Sequence, residues 1–176
     1  MDSASPDDAS VGAAFLAQAR DRLAAACGLI RHCTDQLNDE QVWCRPRASQ
    51  NSIGNLLLHV TGNLRDRIVG VVAQLPNERD RASEFTERGP ISKDALVSRL
   101  EMVARECNAV LSSLASGRLL QPRSYQGINR RMDLDVLSVI FQTVVHLAGH
   151  AQEIVFMTRL ELGDTYQFTN VPRESK

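Results

Sequence analysis

Val144-Val145-His146-Leu147-Ala148-Gly149-His150-Ala151-Gln152-Glu153 carries two of the chain's four histidines inside a long run of helix-favouring residues. Residues at i and i+4 of a helix lie on one face, one turn apart. Two imidazoles so placed can grip one metal ion. With 100° per residue, Leu137, Ile140, Val144, Ala148, Ala151 and Val155 share one broad face. His146 and His150 point elsewhere, beside Val139, Gln142, Thr143, Glu153 and Met157, while Gln152 and Arg159 take the most solvated side. The histidines therefore sit on a half-apolar stripe, where a buried ring needs a partner. Gly149 between them is unfavourable in a helix, and close approach of a second helix would explain it. The metalloprotease pattern needs Glu directly after the first His, and Leu147 stands there. A ferritin-like di-iron site needs Glu ligands from several helices, which these helices lack.

The neighbouring segments give three more helices. Leu16, Ala19, Leu23, Ala26, Ile30, Cys33 and Leu37 alternate spacings of three and four, the seam of a first helix capped by Ser10 and ending near Leu37. Residues 1–9 are expected to be a loose tail. His32 lies off the seam and reads as surface. Pro46 disfavours helix through the connector, where Trp43 is expected to plug one end of the bundle. Arg45 and Arg47 in the same connector could also flank an anion.

A second helix is expected from about Ser49–Ser52 to Leu75, with Ile53, Leu57, Val60, Leu64, Ile68, Val71 and Leu75 inward. Its other stripe carries Asn55, His59, Asn63 and Asp66, which fits either a solvent face or a wet groove. Residues 76–91 form a polar loop of a length that is often functional. Ser92 caps a third helix to about Ala115, with Gly117 suited to a C-terminal cap. Residues 118–132 read as an irregular crossover with a short extended turn at most. Asp133 or Asp135 caps the fourth helix, which Gly163 ends; residues 164–176 form a tail that can fold back through Tyr166 and Phe168. Four amphipathic helices, no convincing period-two strand and no internal repeat define an all-α four-helix bundle over residues 10–163 as one domain, with one longer crossover.

Composition excludes other classes. Hydrophobic residues at 43% and charged residues at 23% belong to a soluble globular chain. A net charge of −1 with no Lys/Arg-rich run gives no field for nucleic acid. No apolar run approaches the ~20 residues that cross a bilayer, so no membrane partner is expected. Cys27, Cys33, Cys44 and Cys107 form no CxxC pair, and Cys33 and Cys107 lie on apolar faces as buried thiols. The acidic N-terminus lacks a signal-peptide pattern, and the expected location is a reducing cytoplasm.

Asn51-Ser-Ile-Gly-Asn-Leu-Leu-Leu-His59-Val-Thr-Gly-Asn-Leu-Arg, together with Val145-His146-Leu-Ala-Gly-His150-Ala-Gln-Glu-Ile, resembles the DinB-like, YfiT-like metal-binding four-helix bundles. The likeness extends to the helix lengths and the arginine-rich segment before the last helix. It implies a three-histidine site on His59, His146 and His150, all three of which match. Such a trio leaves a divalent ion, nickel or zinc, with open positions for water or substrate. Asn55, Asn63, Gln142 and Thr143 are candidates to orient those ligands, with the carboxylates of Asp66 and Glu153 first. The superfamily implies a metal-dependent thiol-S-transferase, isomerase or hydrolase, with a small-molecule thiol and an electrophile as partners. The alternative is a non-enzymatic, stress-linked metal-binding scaffold. The long apolar seams also permit a homodimer.

Overall fold

The computed structural model describes residues 6–169. Residues 1–5 of the expected leading tail and 170–176 of the trailing one lie outside the described residues. Helix α1 spans Pro6–Asp35, so it starts ahead of Ser10; proline suits a first turn because its missing N–H would be unpaired there anyway. Its seam from Leu16 to Cys33 is buried as the spacing predicts, and so is Leu37 just past its end. A short helix absent from the sequence reading, α2 (Asp39–Trp43), follows Asn38, whose side chain and Gln41 close a capping box. Trp43 plugs the bundle end: its ring lies flat on Gly54, where a Cβ would come within 2.9 Å of it, and its Nε1 donates to the Ile91 carbonyl at 2.7 Å.

The second long helix is composite. Helix α3 (Ile53–Leu64) starts at the Ser52 cap and runs into a π-helical segment, Arg65–Val72. It stops short of the expected Leu75, which is exposed. Helix α4 (Arg81–Thr86) lies in the following connection, capped by Asp80. Helix α5 (Lys93–Ser113) begins at Ser92 as expected; Gly117, expected as its C-cap, sits instead in a separate 3-10 turn, Ser116–Arg118. The crossover holds a β-hairpin, β1 (Pro122–Gln126) against β2 (Arg131–Asp135), with Tyr125 opposite Met132. That hairpin corrects the expectation of no strand. Helix α6 (Val136–Leu162) is capped by Asp135, whose carboxylate accepts from the Ser138 N–H at 2.7 Å, and ends at Gly163 with φ 53°. Such a φ is open to glycine at little cost.

Named contacts fix the directions. Arg31 meets Glu101 and Arg20 meets Asn108, so α1 and α5 are antiparallel. The starts of α3 and α5 share the Trp43 end, and Cys107 meets the Leu64 carbonyl further along, so these two are parallel. Leu119 touches both Gly12 and Leu137, while Tyr166 reaches Cys33, so α1 and α6 are parallel. The order is up-down-down-up, with α1 and α3 each packed on both α5 and α6. Parallel neighbours cannot be joined by a tight turn. The connection from α3 to α5 must travel back along the bundle, and this is the longer crossover. It carries α4 across α3 at the level of His59. Leu56, Leu57, Leu100, Leu111, Ile140, Leu147 and Ile154 fill the core between the four long helices, each at most 1% exposed. No described helix is long and apolar enough to cross a membrane.

Candidate metal centre

His59 stands on the second turn of α3, and antiparallel packing of α3 on α6 puts it against His146 and His150. The ring centroids lie 5.1 Å apart for His59–His146 and His59–His150, and 4.4 Å for His146–His150, all close to perpendicular. One nitrogen of each ring lies within 4.8 Å of the others. Two of them, Nε2 of His59 and of His146, are 3.0 Å apart. Ligands on a tetrahedral ion with bonds of about 2.0–2.1 Å sit roughly 3.3 Å from one another. Closing separations of up to 4.8 Å to roughly 3.3 Å would let the three rings hold one ion.

The outer nitrogens set the tautomers. His59 Nδ1–H donates to Glu84 Oε2 at 2.9 Å, and His150 Nδ1–H donates to Glu153 Oε2 at 2.7 Å. Each anchored ring then presents a bare Nε2. A carboxylate behind a histidine fixes its orientation and raises its basicity toward a metal. With His59 Nε2 as acceptor, His146 Nε2 is the donor between the two rings. Burial, followed by the nearby His150, His59, Arg79 and Arg67, pushes the pKa of His146 down to about 4. The neutral ring is the form that binds metal.

Glu84 is itself gripped. Arg79 Nε and Nη2 donate to its two oxygens at 2.6 and 2.9 Å, a bidentate clamp that holds the carboxylate below its usual range despite its burial. Gly62 makes the clamp fit, because a Cβ there would strike Glu84 Oε1. Phe85, from the same turn, packs on His59 with centroids 4.9 Å apart.

The polar stripe of α3 thus lines a covered groove. Of the two carboxylates singled out from the sequence, Glu153 contacts a histidine directly. Asp66 touches none; it pairs with Arg67 at 3.2 Å and Arg79 at 3.4 Å, one step behind Glu84. Asn55 is fully buried but structural: it caps α3, binds Arg45 and donates to the carbonyls of Glu84 and Glu87. That use of Arg45 removes it from anion binding, and Arg47 is exposed in the connector. Asn63 lines a cavity of about 320 Å³ over His59 and His146. Gln142 and Thr143 line a smaller one that shares Asn63, Arg67 and His146 with the first, and the Thr143 hydroxyl is spent on the Val139 carbonyl. Gly149 has open space beyond its Cβ position, so among the described residues no helix approaches it and the explanation expected for it fails. Glu84 and Arg79 were not singled out from the sequence. Their one signal was the length and polarity of residues 76–91.

Fold and cluster define a class: a DinB-like four-helix bundle with three converging histidines. A crystal structure of a DinB-like protein from Bacillus cereus ATCC 10987 matches with a TM-score of 0.65, over 84% of this chain and 90% of that one, at 14% identity. The chain belongs to the family described as "Protein of unknown function (DUF1572)", whose model matches residues 10–175. No curated protein matches it.

Proposed function

We propose that His59, His146 and His150 hold one divalent metal ion, nickel or zinc, and that the protein is a metal-dependent enzyme of the thiol-S-transferase, isomerase or hydrolase type. The observation that carries this reading is the pair of carboxylate-anchored imidazoles, Glu84–His59 and Glu153–His150, whose free nitrogens converge with that of His146. A bound ion of this kind acts as a Lewis acid and lowers the pKa of a coordinated thiol or water. Three neutral ligands leave its charge uncompensated and positions open, unlike a closed structural site. Glu84 and Glu153 orient the rings, and Arg79 holds Glu84 ionised so that it accepts the hydrogen bond from His59 Nδ1–H. The cavity beside His59 and His146 gives a small thiol and an electrophile access.

A reducing cytoplasm agrees with four free cysteines, two of them buried. Self-association fits the face of α1 and α6 where Phe141 and Val145 are exposed beside Phe15. The test of the activity is a thiol-consumption assay with glutathione and 1-chloro-2,4-dinitrobenzene on zinc- and nickel-loaded protein. Metal-dependent consumption that disappears in the His146→Ala/His150→Ala variant is expected. A double variant as active as the parent would overturn the reading.

A further inference from the structure

The cavity over His59 and His146 is cationic for reasons that do not involve the histidines. Its lining holds three guanidiniums, Arg67, Arg79 and Arg81, against the single carboxylate of Asp66. The charges are not equally committed. Arg79 is spent on Glu84 at 2.6 and 2.9 Å and reaches Asp66 at 3.4 Å. Arg67 shares Asp66 at 3.2 Å and lies 3.9 Å over the Tyr125 ring. Arg81 has no carboxylate partner among the described residues. Its guanidinium rests 4.8 Å over the Phe85 ring, which is itself packed on His59. With Glu84 counted, three positive groups face two negative ones, and the surplus is Arg81.

We propose that this cavity is a subsite for a small organic anion, whose oxyanion group is held by Arg81 and the accessible edge of Arg67 while the rest of the molecule reaches toward His59 and His146. The inference deepens the proposed function by giving the charge of the substrate, but its recognition elements are arginines rather than metal ligands. A guanidinium fork matches the geometry of a carboxylate or a phosphate. An unpaired arginine on a concave wall gains more from an anion there than in open water. The aromatic stacking of Arg67 and Arg81 limits the entropy lost when they grip a ligand. A cavity of about 320 Å³ suits a metabolite of few heavy atoms. Ile128 at the hairpin tip, 71% exposed, lines the same cavity and offers an apolar contact to a ligand's carbon skeleton. Asn63 and Gln126 add hydrogen-bonding groups beside it. A cationic ligand would meet like charge, and a neutral one would leave Arg81 unused.

Calorimetric titration of the full chain, metal-free and zinc-loaded, separates the cases. The probes are succinate, inorganic phosphate and succinamide as the neutral counterpart of succinate. Succinate or phosphate is expected to bind both forms, and the tighter of the two identifies the oxyanion preferred. Succinamide is expected not to bind. Arg81→Gln, at an exposed position, should weaken the preferred anion about tenfold, the loss of one charge-assisted bond. Arg131→Gln, on the hairpin but outside the cavity, should leave it unchanged, with circular dichroism confirming that both variants fold. Equal binding of succinamide, anion binding only when zinc is present, no anion binding at all, or full affinity in Arg81→Gln would each overturn the subsite. A protein that takes up no zinc yet binds succinate or phosphate through Arg81 would instead remove the metal reading and leave the subsite standing.

Discussion

Two of the three imidazoles at the candidate centre have their Nδ1 protons committed to carboxylates, and the two commitments differ in kind. The Glu84 side chain is 7% exposed and clamped by Arg79; that of Glu153 is 47% exposed, and no cation pairs with it among the described residues. A buried charged acceptor orients its partner more firmly than a solvated one. Glu84→Gln is therefore expected to weaken zinc affinity by roughly 10- to 100-fold, and Glu153→Gln by distinctly less. Competition with a chromophoric chelator measures both, and equal losses would contradict the ranking. Gly62→Ala tests the clamp from its other side. The added methyl would push Glu84 off α3, with an expected cost of about 1–3 kcal/mol in urea unfolding. A variant as stable as the parent would mean that Glu84 has room to move. The sequence made His146 and His150 visible, because spacing alone puts them on one face. It could not rank the carboxylates. Glu153 lies within one turn of His150, whereas Glu84 reaches His59 only through a crossover whose path no periodicity encodes.

The long helices were legible as elements because each buries one stripe. Leu16 to Cys33 on α1 and Leu96 to Cys107 on α5 follow the three-and-four rhythm without a break. The π-helical stretch Arg65–Val72 was hidden, since Leu64, Ile68 and Val72 remain buried at a spacing that an ordinary helix would also show. The hairpin was hidden for another reason: Arg123 is the one buried residue on β1 and β2, so there is no alternation to read. That arginine is what ties the hairpin down. Its Nε donates to the Val71 carbonyl at 3.1 Å and its Nη2 to the Val72 carbonyl at 3.4 Å, at the end of the π segment where helical N–H donors run out. Arg123→Ala leaves those carbonyls unpaired. A loss of about 1–3 kcal/mol is expected, with faster proteolysis between β1 and β2 than in the parent. Unchanged cleavage would show that strand pairing alone holds the hairpin over the cavity.

Over the whole molecule the up-down-down-up order explains why the site sits where it does. Parallel α3 and α5 force a crossover along the bundle, and the crossover supplies Arg79, Arg81 and Glu84 to a surface that α3 and α6 alone would leave open. Sequence spacing could name four helices but not their order, because burial of a stripe says nothing about which neighbour covers it. The same packing sorts the thiols. Cys44 is exposed; Cys33 and Cys107 are fully buried, and burial pushes the Cys107 thiol up to about 12. Maleimide labelling of the native chain should modify Cys44 within minutes and leave Cys107 intact until denaturant is added, as mass spectrometry of the digested protein would read. Early modification of Cys107 would mean that the α3–α5 contact opens. The central claim, that the three histidines form a metal site, is tested most directly by elemental analysis of tag-free protein purified without chelator, beside the His146→Ala/His150→Ala variant. The account predicts close to one nickel or zinc per chain, retained on gel filtration and absent from the variant. A metal-free parent that takes up neither ion on addition, or a variant that keeps its metal, would contradict it.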